Sequence, residues 1–159
     1  MPELRRVFAK VGSTKAYASV GRLFAPLDRW MMRVTGSKFG LGSVFGLRTL
    51  LLTTVGRTSG QTRQVPLLYI ERDGGYVVIG SNWGGERHPG WSSNLLAEPR
   101  ALATVRGKQI TVRGRLLTGA ERQQTWDAVA AYWPAYTKYA ERAERREIRV
   151  FLLEPVVED

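Results

Sequence analysis

The sequence predicts a mainly β (α+β) domain in which about six short, mostly antiparallel strands close, or nearly close, into a barrel carrying helices on its rim. Three observations predict it. Short runs rich in Leu, Val, Ile and Thr recur from Leu47 onward, the pattern of strands. Tight-turn signals separate them, most clearly Asp73-Gly74-Gly75 and Gly107-Lys108. A small open sheet would leave unpaired edges, and closure removes them.

A chain of 159 residues, 43% hydrophobic and 24% charged, forms one domain with a core large enough to fold alone. Cysteine is absent, which excludes disulfides, thiolate nucleophiles, thiolate-bound zinc and iron–sulfur clusters. With His88 as the single histidine and no paired-carboxylate pattern, no metal site is expected. Twenty-four Lys and Arg against fourteen Asp and Glu give a net charge of +10, a field that draws nucleic acid, acidic lipid or an anionic cofactor. The longest apolar stretches, such as Leu50-Leu51-Leu52, fall far short of the roughly 20 residues that cross a bilayer. No apolar signal-peptide core follows Arg5 and Arg6, so a cytoplasmic protein is expected.

Two segments follow in order: a basic amphipathic helical segment over residues 1–46 and a barrel over residues 47–159. In the first, Leu27, Trp30, Met31 and Val34 form one helical stripe, with Arg22, Arg29 and Arg33 at polar positions. Such a stripe packs on its own domain more often than on an anionic membrane, and both placements stand at this point. Gly36 to Gly46 is a glycine-rich connector. Leu47–Val55 and Gln64–Glu71 are strands, and the Asp73 turn leads into a third at Tyr76–Gly80. Ser81–Pro89 is a loop, Trp91–Ala97 a short helix closed by Glu98-Pro99, and residues 101–106 and 109–117 a strand pair. Trp126, Val129, Ala130 and Trp133 share a face of a helix over Glu121–Trp133, which Pro134 interrupts. Glu141–Arg149 alternates charges and reads as a solvated, self-pairing face, and Ile148–Leu153 is the last strand.

Three groups of residues can carry chemistry. Gly56 to Arg63 joins two strands and is rich in donors: glycines turn amides toward an oxyanion, Thr58 and Ser59 add hydroxyls, and Arg57 and Arg63 can grip phosphate. The same composition serves an ordinary solvated turn equally well. It lacks the Lys-Ser/Thr ending of a P-loop. Ser81 to Trp91 gathers Trp83, Trp91, Asn82 and His88 on one loop, where two indoles can border a planar ring or, for Trp91 in particular, anchor the loop to the core. Tyr132, Tyr136 and Tyr139 line one face if the helix continues past Pro134, either packing into the core or walling a pocket in which a phenol can donate a proton, and the pocket is favoured because a buried stripe more typically holds Leu or Ile.

These pieces, in this order, resemble one family. Leu51 through Arg63, Val65-Pro66-Leu67, Asp73-Gly74-Gly75, Ser81-Asn82-Trp83-Gly84-Gly85, and His88-Pro89-Gly90-Trp91 with Asn94-Leu95 and Glu98-Pro99 are similar to the deazaflavin (F420)-dependent nitroreductases of actinobacteria and their F420H2-dependent quinone-reducing relatives. The likeness covers about residues 47–155. It implies a split β-barrel like that of FMN-binding proteins, and an oxidoreductase that passes a hydride from reduced coenzyme F420 to a small apolar acceptor such as a quinone, enone or nitro compound. By the same resemblance Arg57, Thr58, Ser59, Gly60 and Arg63 hold the cofactor's phosphate and polyglutamate tail. Pro66, Leu67, Ser81, Asn82 and Trp83 lie along the deazaflavin ring, and His88, Trp91 and Asn94 support the loop. Tyr69, Tyr136 and Tyr139 face the substrate beside Tyr132, with Tyr136, Tyr139 or Ser81 stabilising or protonating the developing anion. Two positions depart from the pattern: Asn82 stands where some nitroreductases carry Lys, and Ser92 where an aromatic is common.

The partners expected are the anionic deazaflavin, a small-molecule acceptor, an anionic membrane surface touched peripherally and a second copy of the chain. One rival keeps the fold and binds a fatty acid, another lipid, FMN or haem without F420-dependent turnover. A nucleic-acid-binding barrel, suggested by Arg106, Lys108, Arg113 and Arg115, lacks aromatics over residues 101–117 on which bases could stack.

Overall fold

Side chains alternate across a strand, so a strand buried on both sides reads as an unbroken apolar run. A computed structural model of the chain, which describes residues 7, 10, 11, 13–36, 38, 40–44 and 46–157, shows this arrangement. The Arg5–Arg6 pair lies outside the described residues. Seven strands, β1 (Thr49–Val55), β2 (Thr62–Leu68), β3 (Ile70–Arg72), β4 (Gly75–Gly80), β5 (Arg100–Val105), β6 (Lys108–Leu116) and β7 (Arg149–Pro155), form one curled sheet in the order β2-β1-β5-β6-β7-β4-β3. Every neighbouring pair is antiparallel.

The strand total exceeds the expected six because the run Gln64–Glu71 breaks in two. Tyr69 turns its amide to the carbonyl of Arg48 at 3.0 Å and buries its ring edge-on against Tyr76, 5.4 Å between centroids. β2 then pairs with β1 at one end of the sheet, and β3 pairs with β4 at the other. One residue thus bends the chain between the two ends of a seven-stranded sheet, which brings the barrel close to closure.

Both predicted hairpins form, with positive φ at two central residues, the twist that suits antiparallel strands. These are Asp73 and Gly74 (51° and 74°) and Arg106 and Gly107 (49° and 83°). The second turn therefore sits one residue earlier than the Gly107-Lys108 reading.

β4 and β7 lie between two cores. Val77, Ile79, Val150 and Leu152 face a cluster with Trp133, Tyr136 and Tyr139 from the helices. Val78, Phe151 and Leu153 face the barrel interior with Leu50, Leu52, Val112 and Leu95. Among the described residues, helices α1 (Lys15–Val34), α2 (Leu41–Val44), α3 (Gly90–Ala97), α4 (Gly119–Tyr132) and α5 (Ala135–Ala143) surround the sheet. The expected connector thus includes the helical turn α2. The helix does not continue past Pro134: Trp133 is extended at φ −134°, and α5 starts anew.

The N-terminal stripe is rotated from expectation. Leu27, Trp30 and Val34 are 46%, 59% and 64% exposed, while Met32 is fully buried. Small residues decide the packing face. A Cβ on Gly21 would meet the Trp83 ring at 3.3 Å, so this helix approaches the Ser81–Pro89 loop with its glycine side.

Candidate active site

A cleft of about 890 Å³ opens where β2, the loop after β4, α5 and the inner face of α1 converge. Its walls bring together Arg57, Thr58, Ser59, Arg63, Pro66, Leu67, Ser81, Asn82, Trp83, His88, Trp91, Asn94, Tyr136 and Tyr139, although these are dispersed over the chain. Gly60, Tyr69 and Tyr132 are not part of the lining. Gly60 shapes the cradle loop from behind. Tyr69 is buried in the barrel interior, and the Tyr132 hydroxyl accepts from the Arg48 amide at 2.9 Å because the break at Pro134 separates it from the other two phenols.

At one end, the loop between β1 and β2 is closed by its own backbone. The Gly56 amide donates to the Gln61 carbonyl at 2.7 Å and the Gly60 amide to the Gly56 carbonyl at 2.8 Å. Gly60 takes φ 70°, and a Cβ on Gly56 would lie 2.6 Å from Ser59 Oγ, so both glycines are required by geometry. Among the described residues, the amides of Thr58 and Ser59 donate to no protein group, which leaves them for an anion. Arg57 is held from below. Asn94 Oδ1 accepts from its amide at 3.2 Å and from Nη1 at 3.1 Å, while Asn94 Nδ2 donates to Thr54 Oγ1 at 3.2 Å. Asn94 and Thr54 are both buried, so the cradle rests on a satisfied polar network.

The other end is aromatic. Trp83 and Asn82 adopt positive φ, 50° and 45°, a conformation that side-chain-bearing residues resist and that the surroundings must hold. Asn82 Nδ2 donates to the Arg87 carbonyl at 3.0 Å. Arg22 of α1 lies 5.7 Å from the Trp83 ring centroid, and Arg142 Nη1 donates to the Trp83 carbonyl at 3.4 Å. Tyr136 and Tyr139 stand edge-on, 5.9 Å apart, beside Trp133. Burial, with the neighbouring Tyr139 and Tyr132, pushes the Tyr136 phenol well above the usual range and keeps it protonated.

The alternating charges of 141–149 form a solvated face only in part: Glu141, Glu144, Arg145 and Glu147 are exposed, whereas Arg146 and Arg149 turn inward. Arg146 is the main support of the Ser81–His88 loop. Its guanidinium donates to the carbonyls of Gly80 (3.0 Å), Ser81 (2.7 Å) and Gly85 (2.9 and 3.1 Å), and Nη1 lies 3.3 Å from His88 Nδ1. Arg149 donates to the hydroxyls of Ser92 and Ser93, both at 3.1 Å. Burial first, then Arg149 and Arg146, lower the His88 pKa. Ala25 and Arg29 of α1, with Trp133, also line the cleft and were not expected from the sequence. The spacing of Arg146 carries no mark of this role, whereas Ala25 lies one helical turn from Gly21 on a small-residue face.

The family of F420H2-dependent quinone reductases matches residues 26–155, a range that begins inside α1. An F420H2-dependent quinone reductase of Mycobacterium tuberculosis is 34% identical over 67 residues, 42% of this chain and 45% of that protein. The chain thus spans about half the length of the curated relatives it matches. A structure described as an F420-H2 Dependent Reductase (FDR-A) is 33% identical with a TM-score of 0.61, covering 67% of this chain and 94% of its own. A domain-swapped dimer is also 33% identical, with a TM-score of 0.62, covering 67% and 80%. The haem storage protein HutZ of Vibrio cholerae, at 13% identity, TM-score 0.52 and coverage of 70% and 83%, shares the fold alone.

Proposed function

The chain belongs to the F420H2-dependent quinone reductase family, and on that premise we propose that it binds coenzyme F420 in the cleft and reduces a quinone there. The observation that carries this is the polarity of the cleft, with an anion cradle at Arg57–Arg63 and an aromatic wall at Trp83, Tyr136 and Tyr139. The residues fit the cofactor. Free amides and two arginines suit a phosphate, and Pro66, Leu67 and Trp83 offer apolar surface to a planar ring.

When bound, the reduced deazaflavin supplies the hydride. The protein's part is orientation and charge. Asn94 fixes Arg57 toward the phosphate, and Arg146 fixes the loop carrying Ser81 and Trp83. Protonated Tyr136, with Tyr139 and Ser81, donates toward the oxygen on which negative charge develops in the acceptor. Enones and nitro compounds present a similar oxygen and form the wider acceptor class. Tyr136 and Tyr139 are the residues in this reading that meet the acceptor.

The outward stripe of α1 suits an acceptor that resides in membranes. Leu23, Leu27, Trp30 and Val34 are exposed beside Arg22 and Arg33, the make-up of a helix resting on an anionic surface. Among the described residues no helix is long and apolar enough to cross a bilayer. Co-sedimentation with anionic vesicles that is lost in Leu27→Glu/Trp30→Glu supports it, and co-sedimentation unchanged in that variant removes it.

A fluorescence titration with coenzyme F420, on wild type, Arg57→Ala and Arg63→Ala, tests the central reading. Each arginine removed should weaken binding about tenfold, the scale of a charge-assisted hydrogen bond. Oxidation of the reduced cofactor by a quinone then tests turnover. Absence of F420 binding overturns the proposal and returns the cleft to lipid, FMN or haem.

A further inference from the structure

Helix α1 is tied to two walls of the cleft. The Arg22 guanidinium lies 5.7 Å from the Trp83 ring centroid, and Arg33 Nε donates to Gln64 Oε1 at 3.0 Å. These ties are roughly three turns, or roughly 16 Å, apart along the helix, so α1 crosses the cleft between them. Gly21, Ala25, Arg29 and Arg33 recur every four residues on one row of the helix, and Ala25 and Arg29 line the cleft. Arg29 is the member of this row without a task in the fold. Its Nε is buried, and no group among the described residues accepts from it. Asp28, the preceding residue, lies against Gly40 instead, where an added Cβ would meet its Oδ1 at 2.9 Å. The described lining of the cleft contains arginines and no carboxylate, so nothing there neutralises Arg29. A buried donor without an acceptor costs stability, more so on a charged group, and a ligand oxygen removes that cost.

We infer that Arg29 selects the acceptor: it donates to the second carbonyl oxygen of a quinone, across the ring from the oxygen that meets Tyr136. The inference rests on the quinone-reductase reading of the cleft. Tyr136 and Tyr139 reach the cleft from α5 and the buried cluster they share with Val77 and Ile79, whereas Arg29 reaches it from α1. Two separate walls thus present donors to one acceptor. The anion cradle already supplies the cofactor with Arg57 and Arg63, which leaves Arg29 for the acceptor. Hydride transfer gives the quinone two electrons and one hydrogen, forming the hydroquinone monoanion. A proton from the phenol wall, replaced from water, completes the hydroquinone, while Arg29 keeps its own proton because a guanidinium stays charged. Negative charge spreads across the conjugated ring to the second oxygen, so a fixed cation there is worth more in the transition state than against the neutral quinone. An enone has one oxygen, which the phenols satisfy, and it leaves Arg29 unpaired. A site built to hydrogen-bond a group discriminates against an analogue that lacks it, and Arg29 therefore favours quinones over enones.

The test measures kcat/KM for 1,4-naphthoquinone and for cyclohexenone with reduced F420 on wild type, Arg29→Gln and Arg29→Lys, beside F420 titrations and melting temperatures. Comparing each variant with wild type on the same acceptor cancels the acceptor's intrinsic reactivity. If wild type leaves cyclohexenone unreduced, its inhibition constant against the quinone takes the place of kcat/KM. Arg29→Gln should lower kcat/KM for the quinone about 10- to 100-fold, the scale of a hydrogen bond to a charged group, and change the enone value less than about threefold. Arg29→Lys, which keeps the charge, should recover most of that loss. F420 affinity should stay within about twofold of wild type and Tm within about 3 °C, because Arg29 holds neither the cofactor nor the fold. Equal losses for the two acceptors, an unchanged quinone value in Arg29→Gln, or F420 affinity reduced about tenfold would overturn the inference and leave the F420 reading intact. A Tm lowered by more than about 5 °C in both variants would make Arg29 a structural residue and overturn it as well. If wild type binds no F420 or reduces no quinone, the proposed function falls and this inference with it.

Discussion

Asn94→Ala removes the support beneath the anion cradle, and its cost can be worked from the structure. Three hydrogen bonds disappear: from the Arg57 amide at 3.2 Å, from Arg57 Nη1 at 3.1 Å, and to Thr54 Oγ1 at 3.2 Å. At about 0.5–1.5 kcal/mol each, the sum is about 1.5–4.5 kcal/mol. The Arg57 guanidinium is exposed and regains water, so its share is small; the Thr54 hydroxyl, 1% exposed, cannot. That places the loss at about 2–3 kcal/mol, or a Tm about 5–10 °C lower. Differential scanning calorimetry reads it. Cofactor affinity should fall about tenfold in the same variant, because Arg57 is no longer aimed. Asn94→Asp separates support from charge. Its carboxylate still accepts from Arg57, and the Thr54 hydroxyl can turn to donate to it, so stability stays near wild type while the neutralised cradle binds F420 weakly. A Tm unchanged in Asn94→Ala, or wild-type F420 affinity in Asn94→Asp, refutes the reasoning.

Gly84→Ala should cost at least about 2 kcal/mol, because φ is 76° and the added Cβ would lie 2.6 Å from the Tyr139 carbonyl oxygen. Gly74→Ala, at φ 74° with open space around it, should cost about 1 kcal/mol, and equal melting temperatures for the two would contradict the packing. Tyr136→Phe should slow quinone reduction about 100-fold with stability within about 1 kcal/mol of wild type, since it deletes one donor. Because burial raises this phenol, turnover should show no alkaline loss from it below about pH 10, and an unchanged rate in Tyr136→Phe would pass the role to Tyr139 or Ser81. His88, the single histidine, should titrate by NMR below the usual value of about 6.5. Its lowered pKa means the folded state resists a proton that the unfolded state accepts, so stability present above about pH 6.5 is lost as pH falls through that value. A pKa at or above 6.5 would contradict its placement beside Arg146 and Arg149.

Local signals in the sequence predicted the elements well where a single physical cause dominated. The turn at Asp73-Gly74 was legible because two adjacent residues with positive φ leave few residue choices. The apolar runs of β4 and β7 were legible because both faces are buried. Features set by distant contacts were not legible. Tyr69 ends β2 through a bond to Arg48, which no periodicity records. The apolar stripe of α1 pointed the wrong way because close approach to Trp83 selects Gly21 and Ala25, and smallness is weaker than hydrophobicity as a pattern. Of the proposed site residues, those on the 56–63 and 81–94 segments other than Gly60 converge on the cleft, while Tyr132 and Tyr69 stand apart because a helix break and a strand break redirect them.

The fate of individual arginines explains why a charge of +10 points to a small anionic ligand rather than nucleic acid. Two of the basic residues that suggested nucleic acid meet carboxylates: Arg106, in the turn between β5 and β6, lies 3.4 Å from Glu71, and Arg115 on β6 lies 2.9 Å from Glu121 and 3.0 Å from Glu154. The first surface on which a duplex or single strand would lie is therefore partly neutralised where it would need to attract phosphates. Around the cleft the pattern inverts. Arg57 is held by an amide oxygen, Arg146 by carbonyls and Arg149 by hydroxyls, partners that fix a guanidinium in place and leave its charge available. Neutral acceptors give orientation without cancelling the field, and that combination is required of a site that must be rigid before its anion arrives.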